Sequence, residues 1–223
     1  MRKWGAIVSV AYAVIVLGLL IPGAMLLVNH SRRYLWGDIL SVYKEWVTWI
    51  FVGVLLAGQA LLLFLSVDTS WQRLRPRAHI LVSSLAAGSL SALLMGAAGF
   101  SLGMGIWGDH FGGKFFEDGV NIAACWGALW LAWLIVFYVY FRNPNAQISR
   151  VTAWLLTGSV LELLIAVPAH VIARRRNDCS APAVTSFGIA SGIAIMLLSF
   201  GPSVFLLYKK RLDGYAKRKT AAG

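Results

Sequence analysis

Six long, uninterrupted apolar stretches dominate this sequence of 223 residues. They cover residues 5–28, 46–67, 80–107, 120–141, 151–173 and 183–208, and each is long enough to cross a bilayer core, which needs roughly 20 helical residues. The strands of a membrane barrel would instead be about ten residues long and would alternate in polarity. The sequence therefore predicts an all-α membrane protein, in which residues 1–223 form a single bundle of six transmembrane helices.

The composition excludes several other classes of protein. Apolar residues make up 59% of the chain and charged residues only 13%, whereas about 25% of a soluble domain is charged. The formal net charge of +11 would suit a nucleic-acid-binding protein, but the basic residues occur in short runs between apolar stretches. We therefore expect the lipid bilayer as the main partner, and no nucleic acid.

The distribution of positive charge predicts that both termini are cytoplasmic. Cytoplasmic loops of membrane proteins carry an excess of Lys and Arg. With six spans, 13 of the 20 Lys and Arg residues lie on the side of the termini and 7 on the other side. The polybasic tail at 209–223 is expected to bind anionic lipid headgroups. The predicted location is a bacterial inner (plasma) membrane.

The fifth apolar stretch contains the one acidic or basic residue within the six spans, Glu162, near its middle. A charged carboxylate at that depth costs several kcal/mol, and such residues usually face a cavity or a polar partner. We therefore expect Glu162 to be protonated at neutral pH or hydrogen-bonded inside the bundle, with Gln59 in the second stretch as its partner. Two interpretations stay open, a structural contact between helices and a functional proton or cation site.

A second candidate site lies on the predicted external side, around three consecutive arginines that oppose the usual charge bias. These arginines predict one of three contacts: an anionic ligand or lipid headgroup, the carboxylates of the 108–119 loop, or an acidic partner protein. The histidines of this layer, including His30, show no compact metal-ligand spacing, so no metal site is predicted. The candidate residues are His170, Arg174, Arg175, Arg176, Cys179, Cys125, Asp109 and His110.

The two cysteines of the chain fall on this same side in the predicted topology. A disulfide between Cys125 and Cys179 would be reasonable in an extracytoplasmic space. Two unpaired thiols and a redox pair are the alternatives, although the sequence contains no C-x-x-C motif.

Small and aromatic residues predict how the helices pack. The G-x-x-x-G pairs Gly99–Gly103 and Gly188–Gly192 place the third and sixth spans at the centre of the bundle. The fourth span contains an aromatic stripe, which is a packing seam, a lipid-facing rib or a binding surface for a quinone, pigment or lipid. Its residues are Trp126, Trp130, Trp133, Phe137 and Tyr140.

Three functional hypotheses follow from these features. The first is a small transporter or channel-like protein with an intramembrane site at Glu162 and Gln59. The second is a membrane enzyme or redox subunit that uses the external-face residues, and the third is an accessory subunit that packs in a larger membrane complex. The sequence shows no nucleotide-binding, hydrolase or haem-attachment motif, so it assigns neither an enzymatic activity nor a cofactor.

Overall fold

A computed structural model describes residues 2–28, 35–68, 77–111, 119–143 and 148–200. Within these ranges the chain is almost entirely helical and contains no strand. The end of the sixth predicted span and the polybasic tail lie outside the described residues, so the lipid contact predicted for the tail stays a prediction. The helices are α1 (Arg2–Ile15), a π-helical turn (Val16–Leu20), α2 (Ile21–Val28), α3 (Leu35–Val42), α4 (Trp46–Asp68), α5 (Arg77–Trp107), α6 (Gly119–Arg142), α7 (Ile148–Arg176) and α8 (Ala181–Phe200).

Five segments of the described chain are long and apolar enough to cross a membrane, which agrees with an α-helical membrane bundle. A helix suits a bilayer because it satisfies its own backbone hydrogen bonds. Helix α4 is also apolar, from Trp46 through Val67 in the sequence, and Asp68 is its last residue. The five segments are Ile7–Val28, Ile80–Trp107, Asn121–Arg142, Ser149–Arg176 and Ala181–Phe200.

Helix α7 is longer than the fifth predicted span. The sequence analysis placed Arg174, Arg175 and Arg176 in a loop, but α7 continues through all three. Cationic side chains are favourable in the last turn of a helix, where the backbone dipole is negative, and their long stems reach past the apolar region. The chain then turns over only four residues before α8 begins at Ala181.

Helix α5 lies at the centre of the bundle, in contact with α4, α6 and α7. It is the most buried of the five apolar segments, α8 is the next, and α6 is the least. This confirms the central position that the small residues predicted for the third and sixth spans. Much of the outer surface is formed by exposed Leu, Ile and Val side chains, as expected for a surface that faces lipid.

Glycines allow close approach at three of these helix contacts. A Cβ atom on Gly96 would lie 2.6 Å from the Trp126 ring of α6, and one on Gly105 would lie 2.9 Å from Ala169 of α7. On α8, a Cβ atom at Gly188 would clash with the Ser101 Oγ. The Gly99–Gly103 pair does not act in this way, because Gly99 is exposed with no atom nearby and Gly103 faces Phe111.

The aromatic stripe of α6 is a packing seam against α5. The Trp130 indole donates a hydrogen bond of 2.9 Å to the Ser89 hydroxyl, and Trp126 stacks on Phe100. Two further ring contacts lie along the same stripe, one between Trp133 and Phe137 within α6 and one between Tyr140 and Trp154 of α7. The stripe therefore covers the small residues of α5.

Candidate functional site

Glu162 lies in the interior of the bundle, and its side chain is held by the neighbouring helix α8. Only 1% of the residue is exposed. Its Oε1 atom is 2.7 Å from the Ser191 hydroxyl oxygen, while its Oε2 atom has no hydrogen-bond partner among the described residues. A Cβ atom at Gly192 would lie 2.8 Å from Oε2, so only glycine leaves room for the carboxyl group here.

The Ser191 hydroxyl allows Glu162 to gain or lose a proton without moving its heavy atoms. Ser191 Oγ is also 2.9 Å from the Gly188 carbonyl oxygen of its own helix. When Glu162 is ionised, the single hydroxyl hydrogen points to Oε1. When Glu162 is protonated, the carboxyl donates to Oγ and the hydroxyl hydrogen turns to the carbonyl. Both protonation states thus keep a hydrogen bond between the two residues.

Ser101 places a second unpartnered oxygen near this carboxyl group, on the third helix of the site. Its side chain is fully buried, and its Oγ atom has no hydrogen-bond partner in the described part of the chain. It faces α8 at Gly188, one helical turn from the glycine that faces Glu162. Buried polar atoms are normally paired with protein or water, so these two oxygens are the positions in the site where ordered water is expected to bind.

The structure does not join Glu162 to its predicted partner. Gln59 is also buried, with 1% exposed, but Glu162 bonds to Ser191, and the Gln59 Oε1 atom has no partner among the described residues. Glu162 forms no ion pair with a Lys, Arg or His side chain of the described residues. The ion pair found among them joins Arg176 to Asp178 at 3.3 Å. Burial of both residues is as expected, whereas their contact is not formed.

His170 lies nearer the end of α7 and contacts the start of α8. Its Nδ1 atom is 2.8 Å from the Thr185 hydroxyl oxygen. The Thr185 hydroxyl in turn donates to the Ala181 carbonyl at 2.9 Å. Because a hydroxyl has one hydrogen, we assign the imidazole proton to Nδ1. The ring is also hydrogen-bonded to the backbone of Pro182.

Asp109 connects α5 to the first residues of α8. Its carboxylate accepts hydrogen bonds from the backbone N–H groups of Cys179 at 2.8 Å, Ser180 at 3.1 Å and Ala181 at 3.2 Å, and from the Ser180 hydroxyl at 2.7 Å. It therefore caps the α8 N-terminus, where free N–H groups attract negative charge. The Ser180 hydroxyl and then these N–H groups lower the pKa of Asp109 from 3.8 to about 2, against a smaller opposing effect of burial.

Arg176 makes the reciprocal contact at the C-terminus of α5. Its guanidinium donates to the carbonyl oxygens of Met104 at 2.7 Å, Gly105 at 2.8 Å and Ile106 at 3.2 Å. We call Asp109, Arg176 and residues 178–181 the clasp, and the end of the bundle that contains them the clasp end. The clasp satisfies helix ends that would otherwise lack partners.

The arginine cluster thus pairs mainly with backbone carbonyls. Arg174 donates to the Leu27 carbonyl near the end of α2, whereas Arg175 is exposed. Of the loop carboxylates predicted as partners, Asp109 binds backbone N–H groups and not an arginine, and Glu117 and Asp118 lie outside the described residues. An anionic ligand at this cluster stays a prediction.

The disulfide considered from the sequence is not formed, because Cys125 and Cys179 are both free and exposed. Cys125 lies on the exposed side of α6, which packs against α5, whereas Cys179 is in the turn before α8. His110 is exposed, and His30 lies outside the described residues. Within the ranges given above, no three His, Cys, Asp or Glu side chains group closely enough to hold a metal ion.

A cavity of about 260 Å³ opens at the clasp end. Its lining includes Arg174, Cys179 and Pro182, together with Val28 of α2. Two of its lining residues, Arg174 and Pro182, lie about one helical turn along the chain from His170 and Thr185, respectively.

Sequence reasoning missed Ser191 and Ser101, which complete the Glu162 site. The signal for Ser191 was its place one residue before Gly192, in the glycine pair of the sixth span. The chain matches no protein-family model, no curated protein sequence and no solved structure. The case for function therefore depends on the geometry of the site.

Proposed function

We propose that this protein is a small transporter or channel-like protein of the membrane that uses Glu162 as a proton-binding site. The observation on which the proposal depends is a fully buried carboxyl group, with one unpartnered oxygen and no compensating cation among the described residues. A carboxyl group in such a place is costly in a membrane and commonly marks an ion or proton path. The hydrogen bond with Ser191 supports a proton as the bound ion, because this hydrogen bond can form in both protonation states of Glu162.

The proposed topology has six spans, with both termini cytoplasmic and the clasp end extracytoplasmic. The bias of Lys and Arg towards the side of the termini supports this orientation. The helix contacts are consistent with it. Gly88 and Gly96 of α5 meet α6 in antiparallel order, whereas Gly105 of α5 meets Ala169 of α7, which runs parallel to it. A bacterial inner membrane is the proposed location.

The geometry favours transport over a membrane enzyme at the external face. The enzyme hypothesis needs free cationic groups beside His170 and Cys179. Arg174 and Arg176 instead contact helix carbonyls. An accessory subunit would need no buried ionisable group, so Glu162 disfavours that hypothesis as well.

The test is proton flux into vesicles that contain the purified protein. Phosphatidylethanolamine and phosphatidylglycerol vesicles enclose a pH-sensitive dye, and a potassium gradient with valinomycin drives protons inward. The wild type should acidify the vesicles faster than protein-free vesicles, and Glu162→Gln should return the rate to that of the lipid alone. The amide keeps the size of the side chain but cannot bind and release a proton at neutral pH.

The matched control is Glu45→Gln, which makes the same chemical change at an exposed residue before α4. It should conduct like the wild type. A wild-type rate no faster than lipid alone, or a Glu162→Gln rate equal to that of the wild type, would overturn the proposed function.

A further inference from the structure

Glu162 lies at the inner end of a row of buried polar groups that leads to the clasp end. Along α8 the row is marked by Thr185, Gly188 and Ser191, which are spaced at three residues and so lie near one face of the helix. At these levels the neighbouring helices contribute His170, the Ser101 hydroxyl and Glu162, respectively. Each level thus places one polar side chain of α5 or α7 against α8.

We propose that this row is the route by which protons reach Glu162 from the clasp end. The proposal rests on the proposed function. It adds the side of the membrane from which protons enter and three further residues of the proton path, Ser101, His170 and Thr185. The cavity at the clasp end is the entrance, because Arg174 and Pro182 in its lining lie about one turn from His170 and Thr185, respectively.

The spacing of the row requires water between its members. Gly188 and Gly192, which face Ser101 and Glu162, are separated by about 6 Å along the helix axis, and Thr185 is about 4.5 Å from Gly188. Spacings of this size exceed a direct hydrogen bond and correspond to one or two bridging water molecules. The unpartnered Oγ of Ser101 and Oε2 of Glu162 are the two atoms that such a water would join.

Proton transfer along the row balances at each step. A hydronium ion in the cavity gives its proton to Nε2 of His170, and the Nδ1 proton then passes to Thr185 Oγ1. The Thr185 hydroxyl turns away from the Ala181 carbonyl and gives its own hydrogen to the next water. Ser101 repeats the exchange, and the Glu162 carboxylate accepts the last proton. The positive charge of Arg174 repels a proton on His170. No charged side chain of the described helices has a comparable electrostatic effect on Glu162.

Exchange of the Glu162 carboxyl proton for deuterium tests the route separately from net flux. The purified protein is transferred into D2O, and infrared spectroscopy follows the protonated carboxyl band that is absent in Glu162→Gln. Ser101→Ala and Thr185→Val should slow the exchange at least about tenfold, which corresponds to about 1.4 kcal/mol of added barrier. Proton flux in vesicles should fall with it.

The experiment uses a variant that is expected to fold normally and a matched control. Ser101→Ala removes a hydroxyl that makes no hydrogen bond in the described structure, so the variant should fold at least as well as the wild type. Ser159→Ala is the matched control, since this hydroxyl is equally buried but lies one turn beyond Glu162, away from the clasp end, and donates to Leu156. It should exchange at the wild-type rate.

The outcomes separate the route from the function. If Glu162→Gln abolishes flux while Ser101→Ala and Thr185→Val exchange as fast as Ser159→Ala, the route is wrong and the proposed function stands. If Glu162→Gln conducts like the wild type, the function itself fails. Slowed exchange in both route variants, with a normal rate in the control, supports the proposal.

Discussion

Two glycines that look alike in the sequence have opposite environments in the structure. Gly192 of α8 faces the Glu162 carboxyl group and Leu163, whereas Gly99 of α5 has no atom within 4 Å of the place where a Cβ would be. The side chains around a helix contact decide whether a glycine is needed, and a G-x-x-x-G spacing alone does not reveal them.

Gly192→Ala should therefore destabilise the protein, whereas Gly99→Ala should not. The added methyl group at 192 would lie 2.8 Å from Glu162 Oε2, and overpacking of this kind typically costs about 1–3 kcal/mol. At 99 the same change relieves the low helix propensity of glycine by up to about 1 kcal/mol. Thermal unfolding in detergent should give a lower Tm for the first variant only. An unchanged Tm for Gly192→Ala would contradict the close contact.

The Asp109 carboxylate should make stability depend on pH in a narrow acidic range. Its pKa is lowered in the folded state, from 3.8 to about 2, chiefly by the Ser180 hydroxyl and the N–H groups at the start of α8. The unfolded state therefore binds more protons than the folded state between these values, so stability rises with pH across that window. The stabilisation is present above about pH 4 and is lost as the pH falls towards about 2.

Comparison with Asp109→Asn isolates this contribution, because other carboxyl groups also titrate in acid. The wild type should unfold at a higher temperature than the variant at pH 7, and the difference should shrink as the pH falls below about 4. A difference in Tm that stays constant from pH 7 to the acid limit would show that the charge on Asp109 does not contribute.

Part of the Glu162 site could be predicted from the sequence. The isolation of Glu162 in an apolar stretch was enough to predict its burial. Its partner was also within reach, because counting outward from the turn near residue 177 places Ser191 and Gly192 opposite Glu162 in an antiparallel pair. Gln59 failed as a partner because contact between α4 and α7 depends on how helices tilt and rotate around α5, which no local pattern specifies.

Helices α5 and α7 are each followed by a residue in the left-handed backbone conformation, and the clasp contacts both helix ends. Gly108 has a φ of 62° and Asn177 a φ of 57°, the conformation that commonly ends helices. After α7, the N–H groups of Asn177 and Asp178 bond back to the carbonyls of Arg174 and Ala173. Arg176 then donates to carbonyls in the last turn of α5, where the Met104 carbonyl also accepts a hydrogen bond from the Gly108 N–H.

Arg176→Ala should lower the stability of the bundle, whereas Arg175→Ala should leave it unchanged. Loss of the three carbonyl contacts should cost about 1 kcal/mol, since hydrogen bonds to charged groups contribute somewhat more than that when buried and Arg176 is partly exposed. Arg175 is exposed in the same turn of α7 and is the matched control. Urea unfolding in detergent measures both variants. Equal stabilities for the two would mean that the clasp does not stabilise the bundle.

Placing the arginines inside α7 changes what their charge implies about the whole molecule. Three cations on the predicted external side needed an explanation other than orientation. Contacts of Arg174 and Arg176 with helix carbonyls provide one without any ligand. The exception to the positive-inside rule is therefore compatible with cytoplasmic termini, since a fixed structural role can retain positive charge on the other side.

Labelling of Cys179 tests the orientation of the whole bundle. Both thiols are free, and Cys179 is exposed in the turn at the clasp end. A membrane-impermeant maleimide added to intact spheroplasts should therefore label the protein without prior reduction, and Cys179→Ser should abolish that labelling. Cys125→Ser, the matched control, should keep it, because Cys125 lies in an apolar segment long enough to cross the membrane, where an impermeant reagent should not reach it. Labelling of Cys179 only after the membrane is permeabilised would place the clasp end in the cytoplasm and reverse the proposed direction of proton entry.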